Sequence, residues 1–395
     1  MRLLMRTVTA VVLVVAAPGL LWAQVPETPT DPDNPVQVEG ENTGFGTVSG
    51  EFLQFGASAR GMALGGAYST IADDVDALHY NPANLTFLDG PQAALTVMPY
   101  FADTDYYWAG LALPFSDGDF GIGFFLGHFG FGNQPIYTEV DPTGLSGETY
   151  GVSESVAGIS FGHAFIDRFS AGVTLKFINS DLATGSLGGA SATAAAIDFG
   201  VNFHSELGNK PIRLSFTVQN LGGGLNHQGE ALRFRDVAGS DSDPSVPDQR
   251  LDPPAAQTLS DAFPLPTNFR AGLNYDIVSS ESNRLSLMAE FVESNNQNPA
   301  FGFAGEYAWQ GVDVPIGVAL RASYATQPDN NESGGAFADP ANTIAAPSEG
   351  ADGLGLGGGL FYKFGGTYKL QLDYAYRDYG VLGSADAFTV TFGVG

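Results

Sequence analysis

The chain has 395 residues, a formal net charge of −27 at pH 7 and no cysteine. An acidic balance of that size repels nucleic acid, so no nucleic-acid partner is expected. The missing thiols exclude disulfides, Cys-based metal sites and thiol nucleophiles.

The first 23 residues read as a secretory signal peptide. Arg2 and Arg6 flank a short start, an apolar run follows over residues 8–21, Pro18 and Gly19 break it, and Ala23 offers a small residue before Gln24. This is the n-, h- and c-region layout of an export signal. The run falls short of the ~20 residues a helix needs to cross a bilayer. Its removal takes away two arginines and leaves the mature chain two units more negative. Residues 24–50 are rich in Pro, Asp, Glu, Thr and Gly, as in PETPTDPDNP. Such a stretch buries too little apolar surface to order itself and reads as a flexible leader.

Residues 51–88 follow a different pattern. Gly56, Gly61, Gly65 and Gly66 permit tight backbone turns. Asp73 or Asp74 is placed to cap a short helix with Val75 and Leu78 on one face. Asn81-Pro82 is placed to end it, because the residue before proline avoids helical geometry.

From residue 89 to the end the signal is period two, which sends successive side chains to opposite faces of a strand. Ile212, Leu214, Phe216 and Val218 alternate with Arg213, Ser215, Thr217 and Gln219; Tyr368, Leu370, Leu372, Tyr374 and Tyr376 alternate with Lys369, Gln371, Asp373, Ala375 and Arg377. About fourteen such segments start near residues 91, 105, 119, 151, 168, 192, 211, 267, 284, 300, 315, 353, 367 and 386. Each is near the ~9–11 residues of a tilted transmembrane strand. With both barrel ends in the periplasm, the even connections (116–118, 165–167, 205–210, 278–283, 310–314 and 365–366) are short. The long ones, 131–150, 221–266 and 326–352, are all odd. Short periplasmic turns and long external loops are the asymmetry of outer-membrane barrels.

The predicted fold is therefore an all-β transmembrane antiparallel barrel of about fourteen strands in a bacterial outer membrane, with residues 51–88 as a lumenal plug. Fourteen strands enclose more than barrel side chains alone can fill. Gly353, Gly355, Gly357 and Gly359 on an inner face leave room for plug backbone. The lumen-lining charges are Lys176, Arg213, Arg270, Arg284, Glu290 and Asp373, and they are expected to pair with one another and with the plug.

No motif carries catalysis. Gly158-Ile159-Ser160-Phe161-Gly162 fits the nucleophile-elbow string but lies within an alternating strand rather than at a strand-to-helix turn. Gly353 to Gly358 fits G-x-G-x-x-G with no helix after it. His79, His128, His163, His204 and His227 are scattered. No enzyme activity, cofactor or metal is expected. Asp73 and Asp74 suit plug anchoring better than acid–base work.

The segment after the leader resembles the N-terminal signature of the PorV/PorQ family of outer-membrane proteins, relatives of the FadL-type barrels. The matching residues are Gly56-Ala57-Ser58-Ala59-Arg60-Gly61-Met62, Gly65-Gly66-Ala67, Ala72-Asp73-Asp74 and Asn81-Pro82-Ala83-Asn84-Leu85. Val218-Gln219-Asn220-Leu221-Gly222, Pro266 to Leu273 and Asp373-Tyr374-Ala375-Tyr376 extend the resemblance over nearly the whole mature chain. The last strand departs from the usual pattern in lacking a terminal aromatic, and Phe392 stands nearest to that role.

The resemblance implies a fourteen-stranded barrel with an N-terminal plug, and two kinds of role. PorV-like members work with type IX secretion, accepting exported cargo or serving as an accessory to a secretion-machinery subunit. FadL-like relatives pass long-chain fatty acids and other hydrophobic small molecules. Apolar loop tips such as Phe263 and Leu265, if exposed, would suit the secretion role. Outer-membrane lipid is a partner in either case.

Overall fold

The computed structural model describes residues 47–115, 118–139, 141–235, 255–257, 261–311, 314–326, 353–380 and 383–394. The expected signal peptide and nearly all of the leader lie outside these residues, as do parts of the three long connections.

Period-two segments become strands because alternation lets each one bury one face and give the other to lipid. They are β1 (Gln92–Pro99), β2 (Thr104–Phe115), β3 (Phe120–Pro135), β4 (Thr149–Ile166), β5 (Phe169–Gly185), β6 (Ser191–Leu207) and β7 (Lys210–Gly222). A small ribbon of β8 (Arg233–Arg235) and β9 (Ala255–Gln257) follows outside the barrel sheet. The wall continues with β10 (Asn268–Ser279), β11 (Asn283–Ser294), β12 (Gln297–Gln310), β13 (Ile316–Thr326), β14 (Gly353–Phe364), β15 (Tyr368–Asp378) and β16 (Ser384–Val394). Fourteen strands pair antiparallel with their neighbours, and β1 closes on β16 from Gln92↔Gly393 to Val97↔Phe388. Closure leaves no strand edge for a bilayer to desolvate. No helix of the described residues is long and apolar enough to cross a membrane.

The outer face is apolar. Leu126, Phe177, Phe303, Leu320 and Phe388 are each more than half exposed to the surroundings. The inner face is buried and mostly polar, with Ser215, Thr217, Gln219 and Asn274 shielded by the wall and what it encloses. Aromatic rings gather at the short-turn end: Phe364, Tyr368 and Phe392 form a cluster with centroids 5.6 to 6.3 Å apart. Phe392 thus holds the outer position nearest the C-terminus within this girdle.

Two-residue turns such as Gly208-Asn209 have both residues at positive φ, 60° and 61°, which matches the twist of a tight hairpin. The long connections all leave from the opposite end. One expectation needs correction. β3 to β6 are 16, 18, 17 and 17 residues long, well beyond ~9–11. Their lipid-facing residues change from Leu126, Ala157 and Phe177 to His128, Ser155 and Asn179, which pair side by side across the wall. The strands continue past the bilayer, where water tolerates polar residues on both faces.

Inside the wall, residues 51–87 form a chain of short elements: a 3₁₀ turn (Glu51–Gln54), α1 (Ala59–Ala63), α2 (Ala77–Tyr80) and a second 3₁₀ helix (Pro82–Phe87). Phe52, Leu64, Tyr68, Ile71, Leu78 and Leu85 are fully buried. α1 lies against β13 to β16, and the second 3₁₀ helix against β2 to β6. The segment therefore spans the lumen from one side to the other.

Candidate functional site

Ser58 begins α1 by accepting the Gly61 N–H at 3.1 Å, and this turn aims Arg60 across the lumen. Its Nε and Nη2 donate to the two carboxylate oxygens of Glu306 at 2.8 and 2.7 Å. Its Nη1 donates to Asp73 at 2.9 Å and Asp74 at 2.7 Å. The guanidinium also lies 5.0 Å over the ring of Tyr68, whose hydroxyl donates to Asp74 at 2.8 Å.

The pairing runs outward from this centre. Arg321 donates to Glu306 at 2.7 Å and to Asp373 at 2.5 Å, and Gln371 donates to the other oxygen of Asp373 at 2.6 Å. On the other side Arg284 donates to Asp73 at 2.9 Å and stands 3.3 Å from Asp276. Charges of alternating sign thus cross the lumen in the order Asp276, Arg284, Asp73, Arg60, Glu306, Arg321, Asp373. Burial works against ionisation of Asp73, but Arg60, Arg284 and Arg213 outweigh it and hold its carboxyl well below the usual range. Asp76 goes the other way: burial, then the charge of Asp74, push it well up, and Ser58 Oγ is its hydrogen-bond partner.

The six lumenal charges expected from sequence all have partners. Arg270 pairs with Glu290 at 3.1 Å, and Glu290 accepts the N–H and hydroxyl of Ser69 at 3.0 and 2.7 Å. Lys176 pairs with Asp198 at 2.7 Å and donates to Asn220 at 2.7 Å. Asp198 also takes the Asn220 N–H at 2.7 Å, where the β6–β7 register shifts between Ile197 and Phe199. Arg213 stands 4.0 Å from Asp73. Glu306, Arg321, Asp198 and Asp276 belong to the same networks and were not singled out. Alternation with Val318 and Leu320 marks Arg321 as inward, and alternation with Tyr307 marks Glu306.

The capping role expected of Asp73 or Asp74 is corrected in part. The residue preceding α2 is Asp76, and its side chain makes no cap bond. Asp74 does accept the Asp76 N–H at 3.1 Å, while Asp73 turns wholly to arginines. A buried guanidinium needs a carboxylate more than a short helix needs a cap. Asn81 ends α2 as expected and then caps the second 3₁₀ helix, accepting the Ala83 N–H at 3.1 Å.

Small residues let this segment sit close to the wall. A Cβ on Gly172 would fall 2.4 Å from the Pro82 carbonyl carbon, and one on Gly355 would fall 2.9 Å from the Ala63 oxygen. Gly61 faces the Tyr80 hydroxyl, and Met62 is buried beside it. Gly65 and Gly66, at φ 61° and 81°, reverse the chain after α1.

The lumen is divided. The wall opposite the charge chain carries an apolar cluster in its outer half, where Tyr106, Trp108, Phe125, Val156 and Ile178 all point inward and are buried, beside a hydrogen-bonded Glu154–Ser180 pair. Phe55 completes the cluster, stacked on Tyr100 at 4.6 Å and edge-on to Phe129 at 5.2 Å. The long-loop mouth is covered: the Ser49 N–H donates to the Pro264 carbonyl at 3.0 Å, and Leu225 and Leu265 are buried beside Gly50. Leu265 is therefore not an exposed loop tip; it is drawn into the mouth because Gly50 leaves space there. Phe263 is 40% exposed. At the short-turn end a polar vestibule of about 440 Å³ opens below the charge chain, lined by Arg60, Asp73, Arg213, Arg284, Lys363 and Lys369 among others. Ser160, the candidate nucleophile string's serine, lies in β4 bonded to Thr174 at 2.8 Å, with no helix after it.

No protein-family model matches the chain, and no curated protein matches its sequence. Among solved structures it is similar to the CymD monoaromatic hydrocarbon channel, with a TM-score of 0.52 and 11% identity over 86% of this chain and 97% of that one. It is also similar to the Ralstonia pickettii toluene transporter TbuX, with a TM-score of 0.51 and 11% identity over 86% and 97%. A TodX deltaS2S3 mutant monoaromatic hydrocarbon channel gives a TM-score of 0.51 and 14% identity over 86% and 99%. At these identities the likeness establishes the fold alone, a FadL-like antiparallel barrel. The PorV/PorQ resemblance finds no support in these comparisons.

Proposed function

We propose that this FadL-like barrel is a conduit, not an enzyme, that passes small hydrophobic compounds across the outer membrane. The observation that carries the reading is the apolar inner wall of Tyr106, Trp108, Phe125, Val156 and Ile178. A lumen built for ions or sugars is polar and wet, whereas here aromatic and aliphatic side chains pack together between the mouth and the plug. Similar solved structures are hydrocarbon channels and a toluene transporter, which favours the same class of cargo. In this reading residues 1–23 are the cleaved export signal, 24–50 a leader, 51–88 the plug and 89–395 the barrel.

In this reading cargo moves from the covered mouth, past Phe55 and Trp108, around the plug and into the vestibule. The paired charges from Asp276 to Asp373 hold the plug in place while cargo moves along the apolar side. Mass spectrometry of protein extracted gently from its native membrane tests the reading. Hydrophobic compounds bound without a protein partner are the expected result. A stoichiometric secretion subunit or exported cargo protein would overturn it in favour of type IX secretion.

A further inference from the structure

Two basic side chains converge on one ring at the short-turn end of the lumen, and a third lines the same vestibule. His204 on β6 and Arg213 on β7 face each other across the strand pair, and Phe87, the last residue of the plug's second 3₁₀ helix, sits against both. The guanidinium carbon of Arg213 is 5.3 Å from the Phe87 ring centre, and the His204 ring meets it edge-on at 5.4 Å. Arg284, from β11, lines the larger cavity beside them.

Each of the three holds a buried nitrogen without a hydrogen-bond partner among the described residues: Nδ1 of His204, Nη1 of Arg213 and Nη2 of Arg284. The carboxylate between the arginines is already divided. Asp73 gives one oxygen to Arg60 and the other to Arg284, which leaves Arg213 at 4.0 Å. Two cavities, of about 440 and 460 Å³, both reach Phe87 and Arg213. Arg60, Lys363 and Lys369 add positive charge to the larger one, opposed by Asp74, Asp89, Glu281 and Glu306.

We propose that this mouth is a carboxylate subsite for a compact amphipathic acid. Arg213 and Arg284 present donors in the planar geometry that fits a carboxylate. Phe87, with Phe361 elsewhere in the vestibule lining, receives the apolar body. The inference deepens the conduit reading and rests on it for the direction of travel: acids arriving along the apolar wall are held at the periplasmic exit, while neutral compounds pass without a stop.

The test is calorimetric titration of the full-length protein in detergent with benzoate, and with toluene, acetate and sulfate for comparison. Saturable benzoate binding, weakened at least tenfold by Arg213→Gln and by Arg284→Gln, is expected. Because Arg284 also holds Asp73, Phe87→Leu serves as the variant that leaves the charge chain whole; it should weaken benzoate and leave sulfate unchanged. Absent benzoate binding, or binding indifferent to Arg213→Gln, overturns the site. Sulfate or acetate binding as tightly as benzoate overturns the amphipathic class. Benzoate binding that persists while the protein fails to pass toluene would sink the conduit reading and leave the subsite standing.

Discussion

Arg60 meets three carboxylates, Glu306, Asp73 and Asp74, inside a lumen where little water screens them. Removing one partner of a buried ion pair leaves uncompensated charge and costs about 3–5 kcal/mol. Arg60→Met is therefore expected to lower the urea midpoint of the purified barrel by that equivalent, and Arg60→Lys to recover only part, since a lysine cannot hold Glu306 with two parallel bonds. Two carboxylates three residues apart make opposite predictions. Asp73 is depressed below its unfolded value of about 3.9, so its contribution is complete above that pH and fades as pH falls through and below it. Asp76 is raised, so its ionisation opposes folding as pH rises. At pH 7, Asp73→Asn should destabilise the protein and Asp76→Asn should leave it unchanged or firmer, as read by unfolding midpoints. Equal losses from the two would contradict these electrostatics.

At the scale of elements, plug and wall fit because the wall is thin where the plug is close. Gly172→Leu places a side chain into the Pro82 carbonyl. Overpacking of this kind costs about 1–3 kcal/mol, and limited proteolysis should then cut between Asp73 and Leu88 faster than in the parent. The strands were legible in the sequence because alternation survives wherever one face meets lipid. The segment expected near residue 300 begins at Gln297, and the one expected near 386 begins at Ser384. The lengths of β3 to β6 were not legible, because beyond the bilayer Ser153 and Asp181 no longer contrast with their inward neighbours. Inward charges such as Arg213 and Asp373 could be read from alternation. Their pairing could not, since Arg321 meets Glu306 and Asp373 only through the register of neighbouring strands. The burial of Leu265 depends on Gly50, more than 200 positions away in the chain, and no local pattern reports it.

At the scale of the whole molecule, a closed barrel holds a charge chain that anchors the plug and, across the lumen, an aromatic cluster that faces it. Deleting residues 52–85 should raise single-channel conductance in planar bilayers; an unchanged conductance would mean that this segment does not obstruct the lumen. The central claim is that the aromatic cluster carries hydrophobic cargo, and it is tested most directly by transfer into proteoliposomes loaded with a hydrophobe-trapping protein. Outside-facing barrels should speed toluene entry well above protein-free vesicles and leave glucose entry unchanged, and Trp108→Glu should abolish the toluene gain. Faster glucose entry, or toluene entry no different from bare vesicles, would contradict the account.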